Sequence, residues 1–351
     1  MKLNFFKGKK IAVTGTTGFK GAWLSRILML NGAEVIGYSL KPPTDPALFD
    51  ILKIKRHIKQ HTGDIRDLEK LSKTIIKEKP EIVIHMAAQP LVRESYKDPI
   101  TTYETNVMGT VNILEACKKA PSVRSIVNVT TDKVYENMEW DRGYKEEDVL
   151  NGHDPYSNSK SCSELVTSSY KKAFYAEIDA PSLSTARSGN VIGGGDFSQD
   201  RLIPDCVRAA KAGQNAIIRN PQSTRPYQHV LDCLSGYLLL AEKQYDKKFC
   251  GSYNFGPAQG DFVNNEGLVK MFCDAWGNNL KYENRPDNGP HEAHFLKLDI
   301  EKAKRELGWK PKLNVKTAVE MTAQWYKAYL NKEDVIKIMD KQIKDYFEIA
   351  F

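Results

Sequence analysis

The chain has no long apolar run and few cysteines. Its 351 residues have a mean hydropathy of −0.48, which argues against membrane spans. The first residues contain neither a long apolar segment nor a small-residue cleavage site, so we expect no secretion signal. The 6 cysteines are scattered without close pairs, which indicates neither a disulfide framework nor a zinc ribbon. We therefore expect reduced thiols in a cytoplasmic protein that binds neither a membrane nor a metal.

Basic residues are in excess, yet they form no block. The formal net charge of +7 is spread along the chain, so nucleic-acid binding is not expected. A small partner that carries phosphate fits this charge, and solubility alone would also explain it. With 41% hydrophobic and 10% aromatic residues and no internal repeat, the sequence is typical of a globular protein with one large or two modest domains.

A strand, a glycine-rich turn and a helix follow one another near the start of the chain. Residues 10–14 form a short apolar strand, and an apolar-periodic helix is predicted over residues 22–31. Glycines between them let the backbone turn tightly and approach a pyrophosphate at the helix start. This order favours a dinucleotide site over a plain strand-to-helix turn. The candidate cofactor-binding residues in the turn are Gly15, Thr17, Gly18, Phe19 and Gly21.

Later strand ends supply further candidates for the cofactor site. The second strand ends without the acid that usually binds the ribose of NAD, and Lys41 could instead meet the 2′-phosphate of NADP, so both cofactors are open. Asp64 and Ile65 end the third strand, where Asp64 could bond the adenine or cap the next helix. Ala87 and Ala88 follow the fourth strand and leave room for a ligand against the backbone.

Strand and helix alternate through five strands, up to Val129. This predicts an α/β fold, a Rossmann-like doubly wound parallel sheet with a smaller C-terminal substrate-binding lobe. A long predicted helix, residues 101–119, carries the cofactor candidate Asn106, whose amide could bond backbone or water or only face solvent. The predicted domains are an NAD-binding domain at residues 1–190 with a return segment at 228–256, and a substrate-binding lobe at 191–227 and 257–351.

The polar stretch after the fifth strand is the candidate catalytic centre. Thr131, Asp132 and Lys133 follow a buried strand at its carboxyl end, where ligands bind in open α/β sheets. Tyr156 and Lys160 begin a predicted helix and share one of its faces. A cation beside a phenol favours the ionised form, so Tyr156 is a plausible acid or base. Without a cofactor site upstream, the same spacing would indicate only an exposed helix face.

Short motifs run in order along nearly the whole chain: Gly15-x-x-Gly18-x-x-Gly21, Asp64-Ile65, Thr131-Asp132-Lys133, Tyr156-x-x-x-Lys160, Arg187-Ser188-Gly189-Asn190, Ser223-Thr224-Arg225-Pro226 and Pro290-His291-Glu292-Ala293. Together they resemble the extended short-chain dehydrogenase/reductase superfamily. Within it, nucleotide-sugar 4,6-dehydratases carry Thr-Asp-Glu or a close variant after the fifth strand, where epimerases usually lack the acidic pair. The Thr-Asp-Lys form is similar to members that act on CDP-glucose, although Phe197 and Tyr227 stand where tryptophans are expected.

The resemblance implies a hydro-lyase that converts CDP-D-glucose to CDP-4-keto-6-deoxy-D-glucose and water, in deoxysugar biosynthesis. Tightly held NAD would take hydride from the sugar C4 and return it to C6. Tyr156 is expected to take the 4-hydroxyl proton as a phenolate, its pKa lowered by Lys160 and the nicotinamide charge, while Thr131 bonds the 4-oxygen. Asp132, in its protonated form, is expected to give a proton to the departing 6-hydroxyl.

The resemblance leaves the base for the C5 proton open. Lys133 is one candidate if burial and positive charge lower its pKa from the usual value of about 10.4. Otherwise Lys133 orients a water or stabilises the enolate. A homodimer is also implied, in which helices 101–119 and 156–174 form a four-helix bundle with the partner's copies. The residues implied to hold the nucleotide diphosphate are Asn190, Arg201, Arg225 and His291.

Other functions are open on the sequence alone. The nearest are a 4,6-dehydratase for a dTDP- or GDP-linked sugar and a nucleotide-sugar C4 epimerase. Asp132 argues against epimerisation, because an epimerase needs no acid to expel water. A non-catalytic NAD-binding sensor belongs to a different class, and the retention of every expected active-site residue type argues against it.

Overall fold

A computed structural model describes residues 3–177, 179–277, 280–286 and 295–348. In chain order its strands are β1 Lys10–Thr14, β2 Glu34–Ser39, β3 Lys59–Thr62, β4 Ile82–His85, β5 Ser125–Val129, β6 Ser182–Ser188, β7 Val191–Ile192, β8 Ala216–Ile218, β9 Thr224–Arg225, β10 Gln228–His229, β11 Ser252–Phe255, β12 Val263–Asn264 and β13 Tyr282–Asn284. The α-helices are α1 Phe19–Leu30, α2 Leu48–Ile51, α3 Leu68–Glu78, α4 Val92–Lys97, α5 Pro99–Tyr103, α6 Gly109–Lys118, α7 Pro155–Phe174, α8 Leu202–Ala212, α9 Val230–Lys243, α10 Asn265–Trp276, α11 Val315–Leu330 and α12 Val335–Phe347.

Seven of these strands form one parallel sheet, as the alternation of strands and helices predicted. Its spatial order is β11-β6-β5-β4-β1-β2-β3, with every neighbouring pair parallel. The chain runs outward from β1 to β3 and then crosses back to β4, on the other side of β1. In open α/β sheets, ligands bind at such a reversal, outside the carboxyl ends of the strands. The carboxyl ends of β1 and β4 therefore mark the cofactor crevice.

Both faces of the sheet are covered, which explains its continuous apolar strands. Every residue of β4 and β5 is buried, as expected for parallel strands between helical layers. Ala12 faces a core that includes residues of α3 and α6. Its neighbours Ile11 and Val13 face the opposite core, which includes residues of α1 and α9. Alternate residues of one strand thus hold two helical layers on the same sheet.

The C-terminal half of the chain shares the second of these cores. Residues of α10, α11 and α12 belong to the same buried cluster as α1 and α9. The segment 228–256 contains β11, which pairs with β6 at the edge of the main sheet. A continuous hydrophobic core therefore joins the sheet to the C-terminal helices, while the division into a cofactor domain and a substrate lobe stays a prediction.

The last helix, α12, is fixed to α1 and α9 by polar contacts. Arg26 on α1 forms a two-pronged ion pair with Asp340, with nitrogen–oxygen distances of 2.7 and 2.5 Å. The Tyr346 hydroxyl donates a hydrogen bond to Asp232 on α9 at 2.6 Å. These contacts place α12 against α9 and against α1, the helix that starts at the glycine turn.

The structure also shows the character of the helices and the state of the cysteines. Within the described part of the chain, no helix combines the length and the apolar character needed to cross a bilayer. The cysteines are free thiols, and most of them are buried.

Candidate active site

The glycine turn lies between β1 and α1 and contacts the end of β4. Helix α1 begins at Phe19, earlier than the residue 22 that the apolar pattern predicted, because Phe19 and Lys20 already have helical backbone. Gly15 has a positive φ of 78°, and a Cβ there would lie 2.9 Å from the Ala87 nitrogen. A Cβ on Gly21 would lie 2.0 Å from the Gly15 oxygen. The fold itself therefore requires glycine at both positions.

Gly18 differs from its two neighbours in the motif. A Cβ at this position would meet only the Gly15 oxygen, at 3.5 Å, so the space beside it is open. The Thr14 hydroxyl accepts hydrogen bonds from the backbone nitrogens of Met86 and Ala87, both at 3.1 Å. These bonds hold the ends of β1 and β4 together. The open space beside Gly18, between Gly15 and Gly21 at the start of α1, is called the cradle below. A helix N-terminus with this opening fits a pyrophosphate.

The other end of the crevice is built around β2 and β3. The Thr17 hydroxyl donates to the Leu40 carbonyl at 3.1 Å and fixes the turn against the end of β2. Asp64 pairs with Arg66 at 2.7 Å, which lowers the pKa of the Asp64 carboxyl. The alternative that Asp64 caps the following helix is wrong, because Asp67 accepts the capping bond of α3. Asp64 is therefore held by Arg66 at the crevice edge.

Asn106 is buried in a π-helical turn, Glu104–Met108, which interrupts the predicted helix between α5 and α6. Its side-chain oxygen accepts from the Gln89 nitrogen at 2.9 Å, and its amide donates to the Gln89 carbonyl and the Ser159 hydroxyl. Both ends of the amide are thus bonded to protein. Asn106 braces the loop after β4, which carries Ala87 and Ala88, against α7.

Thr131 and Asp132 form a buried pair at the end of β5. The Thr131 hydroxyl donates to Asp132 Oδ1 at 2.9 Å. Asp132 is 1% exposed, and burial raises the pKa of its carboxyl despite the positive charges of Lys133 and Arg225. Among the described residues, Oδ2 of Asp132 has no hydrogen-bond partner. A buried carboxyl with a raised pKa and an unpartnered oxygen is suited to donate a proton.

Tyr156 and Lys160 lie at the start of α7, which Asp154 caps. Burial raises the pKa of Tyr156 to about 12, while a hydrogen bond with Thr131 and the charge of Arg201 oppose the rise. Burial also lowers the pKa of Lys160 to about 7, and its ammonium nitrogen donates to the Val129 carbonyl at 3.1 Å. In the protein without cofactor, burial therefore outweighs the groups that lower the Tyr156 pKa. The expected lowering by Lys160 together with the nicotinamide charge stays a prediction for the complex with the cofactor.

The remaining candidates among the described residues are Lys133, Arg225, Arg201 and Asn190. Lys133 is half-buried beside Asp132. Arg225 is 3% exposed and close enough to influence the pKa of Asp132, as Arg201 does for Tyr156. The Asn190 carbonyl accepts from the Gln228 nitrogen, and its side chain is half-buried. His291 lies outside the described residues.

The sequence reasoning missed a buried ion pair behind the catalytic strand. Arg187 on β6 binds Glu164 on α7 through Nε and Nη2, at 3.0 and 2.9 Å. Glu164 also accepts from the hydroxyls of Thr130 and Thr185. Glu164 is one helical turn after Lys160, and this spacing was the available signal. The network fixes the backbone just before Thr131 relative to α7.

Comparison with known proteins identifies the group to which this arrangement belongs. The sequence pattern of the GDP-mannose 4,6 dehydratase family matches residues 12–322. The chain belongs to this family. The match extends from β1 into α11, so it covers both the glycine turn and the catalytic stretch.

Relatives of this GDP-mannose 4,6 dehydratase family member include dehydratases and epimerases. It is 48% identical to the CDP-glucose 4,6-dehydratase of Salmonella typhimurium over 98% of this chain and 97% of the relative. Its fold resembles the dTDP-glucose 4,6-dehydratase of Streptomyces venezuelae, solved with NAD and TYD bound, with a TM-score of 0.80 and 24% identity over 92% of this chain and 98% of the other. A UDP-glucose 4-epimerase of Thermotoga maritima, solved with UDP-glucose, also gives a TM-score of 0.80, with 22% identity over 92% and 99% of the two chains. The predicted resemblance to nucleotide-sugar dehydratases is thus confirmed.

Proposed function

We propose that the protein removes water from CDP-D-glucose and forms CDP-4-keto-6-deoxy-D-glucose. Asp132 carries this proposal, because a buried carboxyl with a raised pKa and an unpartnered oxygen can protonate a leaving hydroxyl. An epimerase expels no water and has no use for such an acid. The choice of CDP-glucose rests on the 48% identity with the Salmonella enzyme.

The other polar residues have roles that fit this reaction. Thr131 bonds both Asp132 and Tyr156, so its hydroxyl can hold the sugar 4-oxygen between them. Lys160, whose pKa is about 7, exchanges protons readily at neutral pH one helical turn from Tyr156. Tyr156 and Lys160 together can therefore remove the 4-hydroxyl proton. Arg201 and Arg225 lie near enough to bind the substrate diphosphate beside this centre.

NAD is the cofactor that the site fits. The open space beside Gly18, at the start of α1, can receive the pyrophosphate between Gly15 and Gly21. Bound there, NAD would accept a hydride from C4 of the sugar and later return one to C6. Relatives of the same fold have been solved with NAD. We propose NAD rather than NADP, since Lys41, the basic residue that follows β2, is exposed. An ion pair between an exposed lysine and a 2′-phosphate would add little affinity.

Turnover of the purified protein tests this function. CDP-glucose would be compared with dTDP-glucose, UDP-glucose and GDP-mannose, with and without added NAD⁺ or NADP⁺. We expect a 4-keto-6-deoxy product from CDP-glucose without accumulation of NADH, and a loss of about 100- to 10,000-fold in Asp132→Asn. Product from another nucleotide sugar would overturn the substrate. Binding without turnover would favour a sensor.

The base for the C5 proton is tested by isotope exchange. We propose Lys133, which adjoins Asp132 and is half-buried. Replacing it with Ala should abolish the entry of solvent deuterium at C5 while oxidation at C4 continues. Normal deuterium entry in Lys133→Ala would assign the proton transfer to a water, with Lys133 as its support.

We also propose that the protein is a homodimer. Large apolar side chains are exposed on the helices that the sequence assigned to a four-helix bundle. They are Met108 at 50%, Leu165 at 56% and Phe174 at 48% exposure, and Ile100, at 72%, lies one residue before the first of these helices. A second copy of these helices would cover them in a bundle.

A further inference from the structure

The loop that carries Arg225 is built on the first turn of α10. Strand β9, which ends at Arg225, pairs with β12, and β12 leads directly into this helix. The backbone nitrogen of Asn265 donates to the Ser223 carbonyl at 3.0 Å, and that of Glu266 donates to the Pro221 carbonyl at 3.0 Å. The first N–H groups of a helix have no partner within the helix, so the loop satisfies two of them. The start of α10 therefore fixes the backbone that leads to Arg225.

The side chain of Asn265 binds the same loop on both sides of Arg225. Its amide nitrogen donates to the Asn220 carbonyl at 2.7 Å. Its amide oxygen accepts from the Tyr227 hydroxyl, also at 2.7 Å. Asn265 is 8% exposed and Tyr227 is 5% exposed, so water competes little for these bonds. We call the pair Asn265 and Tyr227 the brace, because it joins the two ends of residues 220–227.

Tyr227 stands where the resemblance leads one to expect tryptophan, and the brace depends on that exchange. A tryptophan side chain has a ring N–H but no hydroxyl. The Tyr227 hydroxyl is the group that bonds Asn265, while the Tyr227 backbone nitrogen donates to the Arg225 carbonyl at 2.9 Å. The residue that departs from the family pattern is thus bonded to α10 through its side chain and to Arg225 through its backbone.

Arg225 itself is buried beside the proposed catalytic acid. It is 3% exposed, and its charge is close enough to influence the pKa of Asp132. A guanidinium binds a diphosphate through parallel N–H groups, so both its place and its plane must match the ligand. An arginine that is already held in this geometry loses less freedom when the ligand binds, and its affinity for the ligand is higher for that reason.

We propose that Asn265 and Tyr227 are positioning residues that hold Arg225 ready for the diphosphate of the nucleotide sugar. The inference rests on the proposed function, which assigns Arg225 to that diphosphate. The diphosphate takes no part in the transfers of hydride and protons, so Arg225 binds it equally in the ground state and in the transition state. Loss of the brace should therefore raise KM and leave kcat nearly unchanged.

The test measures the affinity of the protein for CDP, without any sugar or turnover, by titration calorimetry. Tyr227→Phe keeps the ring and removes the hydroxyl, and Asn265→Ala removes the amide. We expect the Kd for CDP to rise about fivefold in Tyr227→Phe and about tenfold in Asn265→Ala, with the Kd for NAD⁺ unchanged. Tyr227→Phe should add nothing to the effect of Asn265→Ala, because the partner of the hydroxyl is then already absent.

Tyr175→Phe is the matched control. Tyr175 is 7% exposed, and its hydroxyl donates to the Leu114 carbonyl at 2.6 Å in the core on the opposite face of the sheet from Tyr227. This variant loses a buried hydrogen bond of the same kind, so it should lower the Tm as Tyr227→Phe does and keep the wild-type Kd for CDP. With CDP-glucose as substrate, Tyr227→Phe should raise KM about fivefold, and Tyr175→Phe should not change it.

Three results would overturn the proposal. An unchanged Kd for CDP in both variants of the brace would leave it a purely structural role. Equal weakening of CDP and NAD⁺ would indicate a general distortion of the fold, and a wild type that binds none of CDP, dTDP, UDP and GDP would remove the site itself. If Asn265→Ala does not fold, Tyr227→Phe alone decides between these results. A wrong substrate assignment is recognised separately, because it changes which nucleotide binds best and which sugar turns over, whereas the variants still lose affinity for the diphosphate.

Discussion

His85 and His229 are buried and uncharged near neutral pH. Burial lowers the pKa of each imidazole to about 3. His85 bonds the Thr14 hydroxyl at 2.7 Å, and Nδ1 of His229 accepts from the Leu231 nitrogen at the start of α9. In the unfolded chain both rings bind a proton near pH 6.5. The unfolded state therefore binds more protons between pH 6.5 and 3, and the stability of the fold falls as the pH falls through this range.

Replacing His229 with Asn should reduce this acid sensitivity. Asn can still cap α9 and does not titrate. Between pH 7 and pH 5, each buried histidine lowers the free energy of unfolding by about 2 kcal/mol. Over that interval the free energy of unfolding of His229→Asn should therefore fall by about 2 kcal/mol less than that of the wild type. Urea unfolding at the two pH values measures the difference. His57→Asn, at an exposed position, is the control, and equal losses in wild type and His229→Asn would contradict the prediction.

For single residues of the candidate active site, the sequence predicted the residue types better than it predicted their pKa values. The motifs identified Thr131, Asp132, Tyr156 and Lys160 as candidates, but they gave no indication that burial raises the pKa of Tyr156 in the protein without cofactor. Spacing shows which side chains share a helix face, whereas burial depends on everything packed around them. The hydrogen bond from Lys20 to Tyr237 on α9 was missed for the same reason, since no local sequence pattern links these two residues.

At the scale of single elements, the glycine turn allows a matched pair of substitutions. Gly21→Ala would place a Cβ against the Gly15 carbonyl, whereas Gly18→Ala would place one in open space. We expect Gly21→Ala to lower the Tm of the cofactor-free protein. Gly18→Ala should leave that Tm unchanged and weaken NAD⁺ binding at least tenfold, because its methyl group occupies the cradle.

Calorimetric scans and NAD⁺ titrations of both variants provide the measurement. Tight NAD⁺ binding by Gly18→Ala would show that the pyrophosphate does not approach this residue, and would contradict the assignment of the cradle as the pyrophosphate site.

Element boundaries followed the sequence closely where capping residues are present. Helices α10, α11 and α12 begin directly after the residues that cap them, Asn264, Asn314 and Asp334. The π-helical turn at Glu104–Met108 was not predicted. It depends on the bonds of Asn106 with Gln89 and Ser159, which lie on other elements.

At the scale of the whole molecule, the exposed apolar helices predict the oligomeric state. Leu165→Glu would place a charge in the proposed bundle and should convert the dimer to a monomer with little change in Tm. Val149→Glu is the matched control, because Val149 is 64% exposed and lies outside these helices. Light scattering coupled to gel filtration gives the mass. A dimeric Leu165→Glu, or a wild type that is already monomeric, would contradict the bundle.

The ion pair between Arg26 and Asp340 also has a consequence for synthesis of the chain. These partners are 314 residues apart. At translation rates of 5–20 residues per second, roughly 16 to 60 s pass between the appearance of the two side chains. During that interval the nascent chain already contains α1, but α12 does not yet exist to pair with it. The face of α1 that carries Arg26 therefore lacks its partner helix until α12 has been made.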